Sequence, residues 1–277
     1  MGGRGSMTEK EYREHPAVSR SELFKILDSP EKFKYLKENP EPPTPALLFG
    51  QLFHAMVLQP KEVWKQFTVA PKVDRRTKDG KEVWEQFLID SAEKTVVPMD
   101  IVEKAAEMCR TLREHPIPKV RRYIEQLLSG EKEKEFFWVD EITGEECKCR
   151  VDCISEVGEL CTIVDVKTSA KADTESFIKD AVEYGYDFQS AMYTEGVQKN
   201  IGKKCIFVFI VIEKEPPYAV NILQADPILM RRGGDLFREA IGIYHDCKIN
   251  DNWYGYLGKY NMINNLALPA WLAKEYE

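Results

Sequence analysis

The chain has 277 residues, 43% of them hydrophobic and 31% charged, a composition typical of a globular protein with a sizeable core. Its formal net charge is −7, which argues against a protein that coats nucleic acid through bulk charge but leaves room for a local basic groove. No apolar stretch approaches the roughly 18 residues that span a bilayer, and no signal peptide is visible, so we expect a cytoplasmic protein without membrane contact.

The first half of the chain is predicted to be mainly helical. Residues 1–6 resemble the remnant of an expression tag and are left out of the fold prediction. Ser29 is a suitable N-cap, and Pro30 suits the first position of the helix that follows it. A polar, glycine-containing loop is expected at 72–82. The predicted helices cover 18–38 in two parts, 46–60, 82–94, and 99–129 with a break near 115–118.

A change of character near Glu133 marks the start of a predicted sheet. Two strands joined by a turn at Thr143 and Gly144 lead to a third strand, and one or two helices follow with a bend at Gly185. A buried strand over 205–212, an edge strand and a C-terminal helix complete the order β-β-β-α-β-β-α. We therefore expect an α/β (α+β) fold with a central mixed sheet flanked by helices. The predicted single domain, 7–277, comprises a helical part at 7–130, a sheet core at 131–250 and a mainly irregular tail at 251–277.

Four cysteines cluster in the predicted sheet, at Cys147, Cys149, Cys153 and Cys161. Their spacing matches neither a zinc ribbon nor a four-cysteine iron–sulfur site. The first three share odd-numbered parity on one predicted strand, so we expect them to line one buried strand face.

The segment "IVDVKTSA", residues 163–170, places opposite charges inside an apolar strand. Asp165 and Lys167 share strand parity, so their side chains point to the same face. Asp152 lies at the end of the preceding strand, where a hairpin would bring it close to Asp165. Two converging carboxylates repel each other unless a cation neutralises them, and oxygen ligands suit Mg²⁺ or Mn²⁺. The alternative is a structural ion pair between Asp165 and Lys167, because this spacing is common.

Two further motifs accompany this strand. Gln189 and Tyr193 are four residues apart on one face of the following helix, although an ordinary amphipathic helix would look the same. Gly50 and His54 are one turn apart in an apolar helix, where a histidine is either a core residue or a metal ligand. One of Glu131, Glu133 and Glu135 is a weaker candidate ligand, and a solvated charge run describes them better.

In this order, G-x3-H, a strand-borne Asp, D-x-K and Q-x3-Y resemble the RecB-type branch of the PD-(D/E)xK nuclease superfamily. The resemblance is closest to phage and prophage exonuclease VIII (RecE-like) proteins, and it spans roughly residues 18–195. It rests on the stretches "SPEKFKYL", "PALLFGQLFHAMVLQP", "DRRTKDGKEVWEQF", "TGEECKCRVDCI", "IVDVKTSA" and "GYDFQSAMYTEG". Two departures are Val151, where the family often has proline, and D-x-K in place of the commoner E-x-K.

The resemblance implies a restriction-endonuclease-like core and a role for each motif residue. His54, Asp152, Asp165 and the backbone carbonyl of Val166 would bind one or two Mg²⁺ or Mn²⁺ ions. Lys167 would activate the attacking water, while Gln189 and Tyr193 would support the lysine and the scissile phosphate. The implied activity is exonucleolytic digestion of double-stranded DNA from its ends, 5′ to 3′, by a ring-like homo-oligomer that supplies single strands to an annealing partner in phage-type recombination.

Basic side chains near these motifs are candidate DNA contacts. Arg75, Arg76, Lys78 and Lys81 form a basic loop that either grips phosphates or is simply exposed, whereas Lys148 and Arg150 lie on the strand that leads to Asp152. Three alternatives remain: a structure-selective endonuclease, a single-strand nuclease of the same fold, and a catalytically silent DNA-binding module. Loss of Asp165 or Lys167 would be the usual mark of the silent module, and both residues are present.

Overall fold

The computed structural model describes residues 7, 9–157, 159–259, 263 and 266–274. The suspected tag remnant at 1–6 lies outside these residues, as do parts of the tail. The helices of the chain are α1 Glu9–Glu14, α2 Arg20–Asp28, α3 Pro30–Glu38, α4 Pro45–Leu58, α5 Val63–Gln66, α6 Lys78–Asp90, α7 Met99–Arg113, α8 Pro118–Leu127, α9 Thr174–Glu183, α10 Tyr186–Ile201, α11 Pro227–Asn250, α12 Tyr256–Lys259 and α13 Ala270–Ala273. Its strands are β1 Val18–Ser19, β2 Phe67–Val69, β3 Thr95–Val97, β4 Glu131–Val139, β5 Glu146–Val157, β6 Leu160–Ser169, β7 Lys204–Glu213 and β8 Val220–Gln224.

Local signals in the sequence explain where several helices begin and end. The Ser29 side chain accepts a hydrogen bond from the backbone N–H of Lys32, and Pro30 occupies the first helical position, as predicted. Gly185 separates α9 from α10 with a φ of 66°, which confirms the predicted bend. The predicted loop at 72–82 is wrong at its end, because Thr77 caps α6, which begins at Lys78.

The main sheet is mixed and six-stranded, and its pairing order is β1-β5-β6-β7-β8. β4 pairs along one edge of β5, while β1 and β6 pair with different parts of its opposite edge. β5 runs antiparallel to β4 and β6, β6 runs parallel to β7, and β8 pairs antiparallel with β7 at the predicted sheet edge. The parallel step between β6 and β7 is made through α9 and α10. A separate pair, β2 with β3, lies outside this sheet.

Helices cover both faces of the sheet and produce two hydrophobic cores. One core contains Leu23 of α2, Phe188 of α10 and Phe237 of α11. The other contains Phe53 of α4 and a further set from α7 and α8: Met108, Leu112 and Ile124. This arrangement confirms the predicted fold class. In the described part of the chain, no helix is long and apolar enough to cross a membrane.

Strand β5 changes its facing in the middle. Val151 packs into the first core and Cys153 into the second, although residues two apart on a regular strand face the same way. The register with β4 passes from Lys132–Cys153 to Lys134–Val151, and Glu133 between them has a φ of 50°. The prediction that Cys147, Cys149 and Cys153 share one face is therefore wrong for Cys153. All seven cysteines are buried free thiols.

Candidate active site

The two aspartates meet where β5 and β6 separate. Pairing between these strands ends at Cys153 and Val164, so Asp152 and Asp165 are opposite each other one step beyond the ladder. Glu133 of β4, which has a positive φ, lies opposite Asp152, at the point where β5 changes its facing. The hairpin thus places the two carboxylates as the sequence predicted.

Asp152 occupies the gap between the strands. Its Oδ2 accepts a hydrogen bond of 2.7 Å from the backbone N–H of Val166 and lies 3.4 Å from Nδ1 of His54 on α4. Burial raises the pKa of Asp152, and the charge of Asp165 raises it further, while His54, Lys167 and the Val166 N–H act in the opposite direction. A carboxylate held this way is poised to accept a cation.

Asp165 is 3% exposed and has two partners. The side-chain amide of Gln189 donates to Oδ1 at 2.5 Å, and Nζ of Lys167 lies 2.6 Å from Oδ2. The ion pair that was the alternative interpretation of this motif therefore exists. Its angular geometry is not that of a hydrogen bond, and Oδ2 of Asp165 remains a buried acceptor without one. The pair also faces a second carboxylate, Asp152, which a purely structural ion pair does not need.

Tyr186 was not singled out in the sequence and lies beside the lysine. Nζ of Lys167 is 4.8 Å from the centroid of the Tyr186 ring, a cation–π geometry. Burial and then the charge of Asp165 raise the pKa of Tyr186 to about 12, so its hydroxyl stays neutral. Tyr186 and Gln189 are three residues apart on α10, so helical spacing would have marked them as neighbours.

Gln189 and Tyr193 both extend from α10 to the sheet, where they have different partners. Gln189 contacts Asp165 and not the lysine. The Tyr193 ring packs edge-on against Phe207, with 6.5 Å between ring centroids. Burial raises the pKa of Tyr193 well above its usual value, and the more distant charge of Asp165 contributes. Tyr193 is therefore a neutral residue behind the site, and its role toward a phosphate stays a prediction.

The donor atoms present fit a hard divalent cation. Oδ2 of Asp165 is a buried oxygen without a hydrogen bond, and the carboxylate of Asp152 beside it is half-buried. The Val166 N–H points to Asp152, and the carbonyl of a strand residue faces the same edge as its N–H, so this oxygen faces the gap too. His54 adds an imidazole. Within the described residues, however, no three His, Cys, Asp or Glu side chains are gathered as an ion site.

Two predicted DNA contacts are engaged elsewhere. Lys148 is 3% exposed, and its ammonium donates to backbone carbonyls at the end of α1, at 2.7 Å for Tyr12 and 2.8 Å for His15. Arg150 forms an ion pair of 2.8 Å with Glu135 and stacks on the Tyr12 ring. Because the irregularity at Asp152 changes which way β5 faces, strand position alone misplaced both side chains. Because Glu135 pairs with Arg150, it does not join the two aspartates as a third candidate ligand.

The basic loop is exposed, as expected. Arg76 pairs with Asp74 at 3.0 Å, and the guanidinium of Arg75 lies 4.5 Å from the Trp84 ring centroid. Lys78 and Lys81 on α6 are exposed, and Nζ of Lys78 is 3.9 Å from Glu82. The contacts described for these four side chains stay within the loop and α6, so their function on DNA stays a prediction.

Comparison with known proteins agrees with the fold. The model of the family described as "PDDEXK-like domain of unknown function (DUF3799)" matches residues 19–265. A crystal structure of a "Putative exonuclease" from Eubacterium rectale superimposes with a TM-score of 0.58 at 15% identity, over 95% of this chain and 96% of that one. This likeness shows the fold. The crystal structure of SSO0001 aligns with 84% of this chain and 81% of the SSO0001 chain at 12% identity. Its TM-score of 0.39 is too low to indicate a shared fold. No curated protein sequence matches the chain.

Proposed function

Because the chain belongs to the PDDEXK-like family of unknown function (DUF3799), we propose that it is a divalent-metal-dependent deoxyribonuclease that digests double-stranded DNA from its ends. The observation that carries this proposal is the group of Asp152, Asp165 and Lys167 at the point where β5 and β6 separate. Nucleases with this motif generally use divalent metals. The name of the Eubacterium rectale structure supports the exonuclease part of the proposal.

In the proposed reaction, a water oxygen attacks the phosphorus of the scissile diester, and the bond from phosphorus to the leaving oxygen breaks. A divalent ion, Mg²⁺ or Mn²⁺, held by Asp152, Asp165, the Val166 carbonyl and His54, would supply a water of lowered pKa and charge neutralisation. The ammonium of Lys167 orients the attacking water and stabilises negative charge on the phosphate oxygens.

The residues around the lysine restrict its position. Lys167 lies between Oδ2 of Asp165 and the ring of Tyr186, so its ammonium has few other positions available. Gln189 holds the other oxygen of Asp165. With that carboxylate fixed on one side, its other oxygen lies 2.6 Å from Nζ of Lys167, and we place the entering phosphate beside this pair.

The finer parts of the proposal come from the RecE-like resemblance. We propose 5′ to 3′ digestion, a ring-shaped homo-oligomer through which the duplex passes, and transfer of the resulting single strand to an annealing protein in phage-type recombination. A closed ring favours processive exonuclease action over internal cleavage, so the oligomeric state separates the exonuclease from a structure-selective endonuclease of the same fold.

The direct test is digestion of linear duplexes labelled at either the 5′ or the 3′ end, with Mg²⁺, with Mn²⁺ and with EDTA, beside a covalently closed circle. We expect metal-dependent release of label from linear DNA and an intact circle. For 5′ to 3′ digestion, the 5′ label should be released early and the 3′ label late. Cleavage of the circle would replace the exonuclease by an endonuclease. Intact linear DNA that is nevertheless bound would identify the silent module.

The matched control is Lys167→Ala. We expect this variant to stay folded and to bind DNA, and to lose at least about 100-fold in kcat, the scale of removing one transition-state donor. Near-normal cleavage by Lys167→Ala would overturn the site assignment even if the wild-type protein is a nuclease.

A further inference from the structure

Arg20 lies beside the candidate site and has no role in the function proposed so far. It is the first residue of α2, directly after the N-cap Ser19. Nη2 of Arg20 donates to the backbone carbonyl of Tyr184, which precedes the bend at Gly185. The guanidinium also covers the ring of Phe24 at 5.1 Å from its centroid. Arg20 therefore bridges the start of α2 and the start of α10, the helix that carries Tyr186 and Gln189.

The guanidinium of Arg20 keeps a donor without a partner among the described residues. In the part of the chain that the structure describes, Arg20 forms no ion pair, and its Nε–H is buried without a hydrogen-bond partner. Other half-buried arginines form ion pairs: Arg150 pairs with Glu135, although its Nε–H also lacks a hydrogen-bond partner, and Arg238 pairs with Asp140 and Glu195. A half-buried guanidinium with an unsatisfied donor is costly unless a ligand completes it.

The residues whose charges act on Arg20 are those of the candidate site. Burial lowers the pKa of Arg20, and the hydroxyls of Tyr193 and Tyr186 and the carboxylate of Asp165 raise it. Tyr186 in turn contacts Lys167. Arg20 and Lys167 are thus both close to Tyr186, and both cations act on Asp165, beside which we place the phosphate.

We propose that Arg20 binds a phosphate of the substrate strand through its free guanidinium donors. This inference rests on the proposed function and adds to it a specific anion contact. The planar guanidinium can donate to a phosphate oxygen and to the Tyr184 carbonyl at once, which a lysine ammonium cannot reproduce in the same geometry. The acidic pair Asp152 and Asp165 would repel a DNA backbone, and Arg20 with Lys167 offsets that repulsion.

The test compares Arg20→Met and Arg20→Lys with Lys25→Met. Lys25 is an exposed residue of the same helix, so its replacement removes one positive charge from α2 away from the site. We expect Arg20→Met to bind a short fluorescent duplex in Ca²⁺ about tenfold more weakly, and to lose about 100-fold in kcat/KM with Mg²⁺. Arg20→Lys should recover part of both losses, and Lys25→Met should match the wild type within about twofold.

A phosphate contact and a structural contact to Tyr184 differ in a second measurement. Single phosphates of the duplex are replaced in turn by neutral methylphosphonates. At the phosphate that Arg20 contacts, the replacement should weaken binding of the wild type but have little effect on Arg20→Met, because the interaction is already lost. If every replacement weakens both proteins equally while Arg20→Met unfolds at a lower temperature, Arg20 is structural and the inference is wrong.

These outcomes separate the inference from the proposed function. If the wild type cleaves DNA and Arg20→Met cleaves and binds as well, Arg20 is no phosphate ligand although the nuclease stands. If the wild type does not cleave, the binding measurements still test the contact. A methylphosphonate replacement that weakens binding of the wild type but not of Arg20→Met supports the contact. If no replacement behaves in this way, the inference is wrong.

Discussion

Replacing Asp152 by asparagine is expected to stabilise the metal-free protein while abolishing cleavage. Asp152 is a half-buried carboxylate opposite Asp165, and its pKa is raised by burial and by that neighbour. Asparagine keeps an oxygen that can accept the Val166 N–H bond of 2.7 Å, so the strand geometry is preserved. The charge is removed, and with it the repulsion and the main cation ligand.

The size of the effect follows from the strand register. Opposite residues of antiparallel strands are roughly 5 Å apart, and like charges at this distance repel by roughly 3 kcal/mol at an effective dielectric constant of about 20. Lys167, 2.6 Å from Oδ2 of Asp165, cancels much of this. We expect Asp152→Asn to raise the free energy of unfolding by about 1–2 kcal/mol, and the Tm by roughly 2–6 °C for a chain of this size.

The assay is thermal unfolding in EDTA as a function of pH, with Asp165→Asn as the contrasting variant. The raised pKa of Asp152 means that its charged form is disfavoured in the folded protein, so wild-type stability falls as the pH rises through the folded pKa. The advantage of Asp152→Asn should therefore be present at neutral pH and disappear below about pH 4, near the unfolded pKa of an aspartate.

Asp165→Asn should lower the free energy of unfolding by about 3 kcal/mol, because it leaves the mostly buried Lys167 without its carboxylate. If both variants destabilise alike, Asp152 is not a strained carboxylate and our electrostatic account of the site is wrong.

Two further changes test other parts of the structure. Lys148→Met should lower the free energy of unfolding by about 2 kcal/mol, because three backbone carbonyls lose their ammonium donor. It should leave duplex affinity unchanged. Calorimetry and a DNA titration check the two expectations, with Lys25→Met, at an exposed lysine of α2, as the control. Selective loss of DNA binding without destabilisation would restore Lys148 as a DNA contact. Gly50→Ala should stabilise α4 by about 1 kcal/mol, since an added Cβ meets no atom within 4 Å. If DNA approaches the helix face that Gly50 shares with His54, the added methyl group should also lower kcat/KM. A stabilised variant with full activity would show that this face is not used by the substrate.

Features that depend on neighbouring residues in the chain were predictable from the sequence. Ser29 and Pro30 determine the start of α3, and Gly185 breaks the helix pair, because a cap or a positive φ is a local property. Asp165 and Lys167 share a face because strand parity is local as well. The very short strands β1, β2 and β3 were missed, since pairing with distant strands and no periodicity of their own creates them.

The positions of Lys148 and Cys153 required knowledge that the sequence pattern does not contain. Both depend on the change of facing in β5, which occurs opposite Glu133 of a different strand. Tyr186 was missed for a related reason: its helical spacing to Gln189 is visible, but its contact with Lys167 depends on how α10 lies on β6. The residues of the candidate site were thus identifiable one by one, whereas their partners were not.

The hydrogen bond from the Val166 amide to Asp152 also offers a spectroscopic reporter. This amide proton is held by a carboxylate and not by a neighbouring strand, so its chemical shift and its rate of exchange with solvent depend on the charge state of that carboxylate. Titration of ¹⁵N-labelled protein with Mg²⁺ or with acid should therefore move the Val166 resonance, while the amide of Val164, which faces β5 inside the β5–β6 ladder, serves as an internal reference. Cation loading can then be followed residue by residue, without DNA and without turnover.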